Sequence, residues 1–227
     1  TTGAVTGSCY SSGALYVPAG AHVILDLNGF TVNRNYSSPV DYGCVIYIGG
    51  GTLTIRDSSE GKTGTIRGGY ASYSIYGGGI FMSSGSRLYL ESGKITGNNA
   101  SGSGAAGVTV NSNCYFLMTG GSIEGNTGTG SASGAVYVAN NANALFEITG
   151  GIITNNSTTY SSASGGVYID SGGQCLADIG ISRCAGHAGG CPGFQRGNEA
   201  GLFLTAVYQV QVQAVNIPDV VGKDHAA

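Results

Sequence analysis

Residues 107–124 read GVTVNSNCYFLMTGGSIE, and 28 residues further on residues 135–154 read AVYVANNANALFEITGGIIT. Each stretch contains three short segments in which apolar residues alternate with others; in the first stretch these segments are 108–110, 116–118 and the surroundings of Ile123. Side chains of a β-strand point alternately to its two faces, so this alternation predicts three short strands with one apolar face each. Three such strands cannot bury their apolar faces alone, but stacked copies of them can.

The same pattern returns along the whole chain, with 28 to 35 residues between successive copies. The first segments begin at Leu15, Ile46, Ile80, Val108, Val136, Val167 and Leu202. This period predicts an all-β solenoid, a parallel β-helix of about seven coils with three short strands per coil. Right-handed winding is expected because β-crossover-β connections strongly prefer that hand.

The other two segments of each coil complete the predicted organisation. The second segments begin at Leu25, Leu53, Leu88, Phe116, Phe146, Ala177 and Val210, and the third contribute Val32, Ile66, Ile95, Ile123, Ile153, Cys184 and Ile217. We therefore predict a single domain over residues 1–227, with an N-terminal cap at 1–14, coils at 15–217 and a C-terminal tail at 218–227. The variable Ser/Gly-rich loops between coils lie on one edge, which in solenoids is commonly the binding side.

The middle residue of the first segment is aromatic in six of the seven coils. These residues are Tyr16, Tyr47, Phe81, Thr109, Tyr137, Tyr168 and Phe203. Alternation directs them outward, one every ~4.8 Å, and aromatic faces of this kind can stack the C–H groups of sugar rings. We predict a ligand-binding strip that consists of Tyr47, Phe81, Tyr137 and Tyr168, with Asn111 and Asp170 hydrogen-bonding from its edge. The competing interpretation is that the aromatic neighbours only stabilise the sheet.

Composition and charge exclude some classes of partner and indicate where the protein acts. The net charge is −3 and the 9 Lys and Arg residues form no cluster, so nucleic acid is not an expected partner. No apolar run is long enough for a membrane span, and we expect no membrane partner. The Ser/Thr/Gly/Asn-rich, Lys-poor composition is typical of extracellular bacterial proteins, and the start at Thr1 suggests a processed piece.

Catalytic and metal sites are not predicted. A glycosidase needs two carboxyl groups within roughly 5 to 9.5 Å, and Glu147 and Asp178 are the one pair expected on neighbouring strands. No Lys, Arg or His is expected beside them, so we predict no catalytic residue and no enzyme activity. No Cys/His spacing resembles a zinc site and no cofactor is expected, although loop carboxylates and Asn carbonyls leave calcium as an alternative.

The six cysteines do not predict a clear disulfide framework. Cys114 and Cys175 are expected two coils apart, roughly 10 Å, which is too far for a disulfide. Cys184 is expected to fill an inward Ile position as a free thiol, with a Cys184–Cys191 bridge as the alternative.

Three segments resemble a known kind of protein: LDLNGFTV (25–32), GGGTLTIRDSSEGKTGTI (49–66) and MTGGSIEGN (118–126). They are similar to the Gly/Asn-rich β-helix repeats of surface and secreted proteins from gut bacteria. Among these, the chain resembles β-helical carbohydrate-binding modules attached to xylan-degrading enzymes. The resemblance implies a non-catalytic module that holds a plant cell-wall polysaccharide, xylan first, with a catalytic domain in the same parent chain.

Two alternatives stay open beside that resemblance. The chain resembles the pectate-lyase-like superfamily in fold alone, and the catalytic Asp and Arg clusters of that group have no match here, so a polysaccharide lyase or hydrolase is the more distant alternative. The nearer one is a structural repeat segment of a bacterial adhesin or stalk.

Overall fold

The computed structural model describes residues 15–72, 76–141, 143–177 and 184–185, with only the backbone described at 177, 184 and 185. These residues form an all-β solenoid of about five turns, in which strands of successive turns pair in parallel. The predicted all-β parallel fold is confirmed. The segments predicted from Leu202 onward lie outside the described residues, as do the predicted cap at 1–14 and tail at 218–227.

Four sheets run along the solenoid. The first contains β1 (Leu15–Pro18), β4 (Ile46–Gly49), β8 (Ile80–Met82), β12 (Val108–Val110), β16 (Val136–Val138) and β20 (Val167–Ile169). The second contains β2 (His22–Asp26), β5 (Thr52–Arg56), β9 (Arg87–Leu90), β13 (Tyr115–Met118), β17 (Leu145–Ile148), β21 (Gln174–Ala177) and β22 (Cys184–Ala185).

The third and fourth sheets complete each turn. The third contains β3 (Thr31–Asn33), β6 (Thr65–Arg67), β10 (Lys94–Thr96), β14 (Ser122–Glu124) and β18 (Ile152–Thr154). The fourth contains β7 (Tyr70–Ala71), β11 (Asn99–Ala100), β15 (Thr127–Gly128) and β19 (Ser157–Thr158). The sequence predicted three strands per coil. The strands of the fourth sheet lie in stretches that were predicted as loops. They were not predicted, because a strand of two residues is too short to show an alternation.

The core is built from inward columns that follow the predicted period. Val32, Ile66, Ile95, Ile123 and Ile153 stack in register on the third sheet, as predicted. Phe116 and Phe146 stack on the second sheet, with their ring centroids 4.8 Å apart. Burial of these apolar side chains against the next turn is the main stabilising contribution, at roughly 25 cal/mol per Å² of apolar surface.

A column of buried asparagines closes the corner after the third sheet. Asn156 Oδ1 accepts hydrogen bonds from the backbone N of Asn126 (3.0 Å) and from its Nδ2 (2.9 Å). Asn126 Oδ1 does the same for Asn98, at 3.1 and 3.0 Å. The side chains thus satisfy backbone donors that the turn would otherwise bury without a partner.

Two predicted registers on the second sheet are wrong by two residues. In the first turn Val23 and Leu25, not Leu25 and Leu27, pair with Leu53 and Ile55. Leu27 is still buried, because its side chain points into the core at the bend that directly follows β2. The alternation continues through all three apolar residues, so it fits both registers.

The last described strands of the second sheet show the same shift. Cys175 and Ala177 pair with Phe146 and Ile148, whereas the sequence predicted a strand that begins at Ala177. Cys184 pairs antiparallel with Cys175 in β22 instead of joining the third column. The predicted place of Cys184 in the third column is therefore wrong, because β22 runs antiparallel to β21 on the second sheet.

Candidate functional site

The predicted aromatic strip exists as an outward column on the first sheet, which we call the aromatic ladder. It consists, in pairing order, of Tyr16, Tyr47, Phe81, Thr109, Tyr137 and Tyr168. Each residue lies one strand spacing, or rung, from the next, at about 4.8 Å. The predicted register of these six residues is confirmed, and Phe203 lies outside the described residues.

The middle of the ladder is not open to solvent. Phe81 is 3% exposed, Thr109 0% and Tyr137 9%. Tyr76 stacks on Phe81 with centroids 4.2 Å apart, and the backbone amide of Ala105 donates to Thr109 Oγ1 at 2.9 Å. The expectation that the Phe81 and Tyr137 rings are open to a sugar is wrong, because the loops before the strands fold over the outward face.

The two ends of the ladder are more accessible than its middle. At the N-terminal end Tyr16 is 57% exposed and stacks on Tyr47 at a centroid distance of 5.5 Å. Tyr47 is half-buried and contacts Phe81 at 5.4 Å. A ligand can therefore reach Tyr16 and one part of Tyr47 here.

At the other end two tyrosines and an aspartate form one rigid group. The rings of Tyr137 and Tyr168 are 5.9 Å apart and inclined by only 7°. The Tyr137 hydroxyl donates to Asp170 Oδ2 at 3.0 Å. Burial raises the pKa of Tyr137, and the Asp170 carboxylate raises it further, so the hydroxyl remains a donor at neutral pH. Tyr168 and Asp170 are half-buried, so both residues keep some contact with solvent.

Asn111 is on the same side of the ladder as Asp170 but does not join this group. Backbone hydrogen bonds from Ala139 to Val110 and from Asp170 to Val138 extend the register past the strands. This places Asn111 two rungs from Asp170, about 10 Å away, with Ala139 between them. Of the predicted edge residues, only Asp170 contacts a ladder ring.

The predicted pair of carboxylates is not formed by the sheet register. The neighbour of Glu147 across β17 and β21 is Leu176, so the prediction that Asp178 occupies this place is wrong. The shift of β21 by two residues moves Asp178 beyond the strand, outside the described residues. Glu147 Oε2 instead accepts a hydrogen bond from the Tyr115 hydroxyl at 2.6 Å. Burial and this bond raise the pKa of Tyr115 to about 12.

A second surface was missed by the sequence analysis. It lies on the outward side of the second sheet, and we call it the second-sheet face; its side chains, all at least partly exposed, are Arg87, Tyr89, Tyr115, Leu117, Leu145, Glu147 and Leu176. The Tyr89 and Tyr115 rings meet edge to face at 6.1 Å, and the Arg87 guanidinium lies 5.9 Å from the Tyr115 centroid. Alternation from the inward residues places Tyr89, Leu117 and Glu147 outward, and extending it by two residues toward the N-terminus of each strand finds Arg87, Tyr115 and Leu145.

The cysteines are partly as expected. Cys114 and Cys175 are buried free thiols, which confirms that they do not pair. Burial raises the pKa of Cys114 to about 11 and that of Cys175 to about 12, so both thiols are protonated at neutral pH. Cys44 is disulfide-bonded, which the sequence analysis did not predict.

Across the described residues, no three His, Cys, Asp or Glu side chains come together in a group that could hold a metal ion. The same part of the chain contains no helix of the length and hydropathy needed to cross a membrane.

The chain matches no protein-family model, no curated protein and no solved structure.

Proposed function

We propose that the protein is a non-catalytic carbohydrate-binding module that holds an extended plant cell-wall polysaccharide, xylan first. The observation that carries the proposal is the group of Tyr137, Tyr168 and Asp170. Two rings lie 5.9 Å apart and nearly parallel, and a hydrogen-bonded carboxylate lies beside them. Tyr168 is the partly exposed ring against which a sugar stacks, and Tyr137 supports it from behind.

Asp170 supplies the polar part of the contact. Its Oδ2 accepts from Tyr137 and its Oδ1 from the backbone amide of Ser171, so the carboxylate is held in one orientation. Each carboxylate oxygen has a second lone pair that can accept a sugar hydroxyl. A fixed ring and a fixed acceptor need little ordering on binding, which favours affinity.

The Tyr16 and Tyr47 end of the ladder provides a second contact for a long ligand. Tyr16 and Tyr168 are five rungs apart, which corresponds to about 24 Å along the solenoid axis. An extended β-linked chain rises by about one rung per sugar, so a chain of several residues spans both ends over the covered middle. Weak contacts at the two ends then add through effective concentration. In this proposal Phe81 supports Tyr47, and Asn111 bonds the ligand between the ends.

We further propose that the module is secreted and belongs to a longer enzyme chain. Its composition supports secretion by a bacterium, and its resemblance to modules of gut bacteria supports a catalytic domain of a xylan-degrading enzyme in the same parent chain. The module would then keep that domain close to its polysaccharide substrate.

Affinity gel electrophoresis against a panel of soluble polysaccharides, with xylan included, tests the proposal. We expect xylan to retard the parent protein, and Tyr168→Ala to weaken this retardation several-fold. Phe30→Ala is the control, because Phe30 is 72% exposed and lies between the second and third sheets, away from the ladder. No retardation by any glycan would contradict the proposal, and new reducing or unsaturated ends would indicate an enzyme.

A structural segment of an adhesin or stalk is the second candidate. The burial of Phe81, Thr109 and Tyr137 favours it, since a covered ladder stabilises the sheet whether or not a ligand binds. In that case no glycan retards the parent, and the effect of Tyr168→Ala is a lower melting temperature.

A further inference from the structure

The second-sheet face carries a contiguous apolar patch. Leu117, Leu145 and Leu176 lie on three successive strands, and Tyr89 and Tyr115 adjoin them. All five side chains point away from the core and are partly exposed. Outward positions of a sheet that faces water are ordinarily polar, as Thr52 and Thr54 are on the neighbouring strand β5. Contiguous exposed apolar patches mark interaction surfaces.

Two opposite charges occupy diagonal corners of the part of this patch on β9, β13 and β17, and Leu176 on β21 lies next to Glu147. Arg87 is on β9 and Glu147 is on β17. The two residues are two rungs apart across the sheet and two residues apart along the strand, so their Cα atoms are about 12 Å apart. The ion pairs within the described part of the chain are Arg56–Asp26 and Lys94–Glu124, so neither corner is neutralised there. The Tyr115 hydroxyl fixes Glu147, and the Tyr115 ring lies against Arg87.

From this arrangement we propose that the second-sheet face binds a second copy of the same chain, face to face, around a two-fold axis. An in-plane two-fold axis between two facing sheets can exchange the diagonal corners of the patch. Each Arg87 then lies opposite the Glu147 of the other copy, and Tyr115, Leu117 and Leu145 form the apolar centre. A two-fold interface uses the same patch on both copies, and it must therefore be self-complementary in charge, as this patch is.

A second copy fits this face better than a glycan does. The Tyr89 and Tyr115 rings are engaged edge to face and the Tyr115 hydroxyl already donates to Glu147. The three leucines offer neither a ring nor a hydroxyl to a sugar, whereas they pack well against another apolar patch. Sheets that pack face to face lie about 10 Å apart with interdigitating side chains. Aromatic and arginine side chains around an apolar centre are also typical of protein interfaces. The aromatic ladder is on a different sheet, so this inference is independent of glycan binding.

Charge reversal tests the proposed pairing. Sedimentation velocity across a concentration series should show a monomer–dimer equilibrium for the parent protein. Arg87→Glu and Glu147→Arg should each weaken the dimer roughly tenfold or more, because both pairs in the dimer become repulsive. An equimolar mixture of the two variants should associate again with nearly the parent affinity. In the mixed dimer one pair has the native polarity and the other has reversed but opposite charges.

Two further variants separate the interface from general effects on the fold. Leu117→Thr should weaken the dimer to a similar degree with little change in melting temperature, since Thr suits an exposed strand position. Arg67→Glu on the third sheet is the matched control for charge reversal, and it should leave the equilibrium unchanged. A parent protein that stays monomeric at every soluble concentration would overturn the proposal, as would a variant mixture that fails to associate. Loss of polysaccharide retardation in Leu117→Thr, with a monomeric parent, would assign the patch to a glycan instead.

Discussion

The Tyr137 hydroxyl donates to the Asp170 carboxylate at 3.0 Å, and the two residues belong to successive turns of the solenoid. Asp170 follows Tyr168 by two residues, on the same outward side of the chain. The bond therefore joins the buried ring of one turn to the half-exposed ring of the next. If a sugar stacks on Tyr168, its affinity depends on Tyr137 without direct contact.

This relationship predicts different effects for two tyrosine variants. Tyr168→Ala removes the stacking ring and should lower glycan affinity several-fold; aromatic stacks contribute roughly 1–3 kcal/mol, and we expect the lower end of that range. Tyr137→Phe keeps the ring pair and loses only the hydroxyl, so it should cost about 1 kcal/mol of stability and a smaller part of the affinity. Calorimetric titration with xylan oligosaccharides and thermal melting measure the two quantities.

A double variant distinguishes binding from packing. Replacement of both Tyr137 and Tyr168 with Ala should nearly abolish glycan affinity in protein that remains folded at the assay temperature. If the double variant is destabilised but keeps the affinity of the parent, the ladder only packs and the binding site is elsewhere.

The asparagine column predicts a stability effect of a different kind. Asn126→Ala should lower the free energy of unfolding by roughly 3 kcal/mol, because it removes the acceptor for two Asn98 donors and opens a buried corner. Asn99→Ala is the control, since Asn99 is half-buried on the outward side of β11. Urea denaturation followed by circular dichroism provides both values, and equal losses for the two variants would contradict a special role of the column.

The sequence was sufficient for the fold because its period and alternation are strong. The inward isoleucines and the outward ladder were placed in the correct register, since one residue of slip would turn every apolar side chain toward water. The alternation of Val23, Leu25 and Leu27 extends beyond the end of β2. A slip of two residues in the pairing therefore leaves every side chain on the same face of the sheet. The error at Cys175 and Ala177 has the same cause, and it created the apparent pair of Glu147 and Asp178.

The state of the candidate site was less predictable. The burial of Phe81 and Thr109 depends on the conformations of Ser/Gly-rich loops, which carry no periodic signal. Tyr76 and Ala105 contact the ladder from these loops, and nothing in their sequence positions indicates it. The asparagine column was detectable, because Asn98, Asn126 and Asn156 each follow an inward isoleucine by three residues.

Ile123 tests the inward column of the third sheet. Ile123→Asp should unfold the solenoid, because it places a charge in a dry core at a cost of several kcal/mol. Glu124→Gln is the neighbouring control on the outward side, and it should change the melting temperature only slightly, through loss of the exposed pair with Lys94. A folded Ile123→Asp variant with the melting temperature of the parent would mean that this side chain is not in the core.

A buried aspartate links the long loop at residues 57–64 to the first turn. The Asp57 carboxylate accepts hydrogen bonds from the Ser59 hydroxyl at 2.7 Å and from the backbone amides of Gly64, Gly29 and Ser59. Burial opposes ionisation of this carboxyl, but the hydrogen bonds outweigh it and lower its pKa from 3.8 to about 2. The charged form is therefore the one that the folded protein stabilises.

The lowered pKa of Asp57 predicts a loss of stability in acid. Its contribution is complete above the unfolded value near 3.8 and is lost as the pH falls toward about 2, because the unfolded chain takes up the proton first. Asp57→Asn should therefore melt well below the parent at neutral pH, with roughly 2 kcal/mol less stability from the lost charge-assisted bonds. The difference between the two proteins should shrink between pH 4 and pH 2. Glu60→Gln, an exposed change in the same loop, should keep the melting temperature of the parent at neutral pH. A difference between Asp57→Asn and the parent that stays constant across this range would show that the carboxylate does not titrate as inferred.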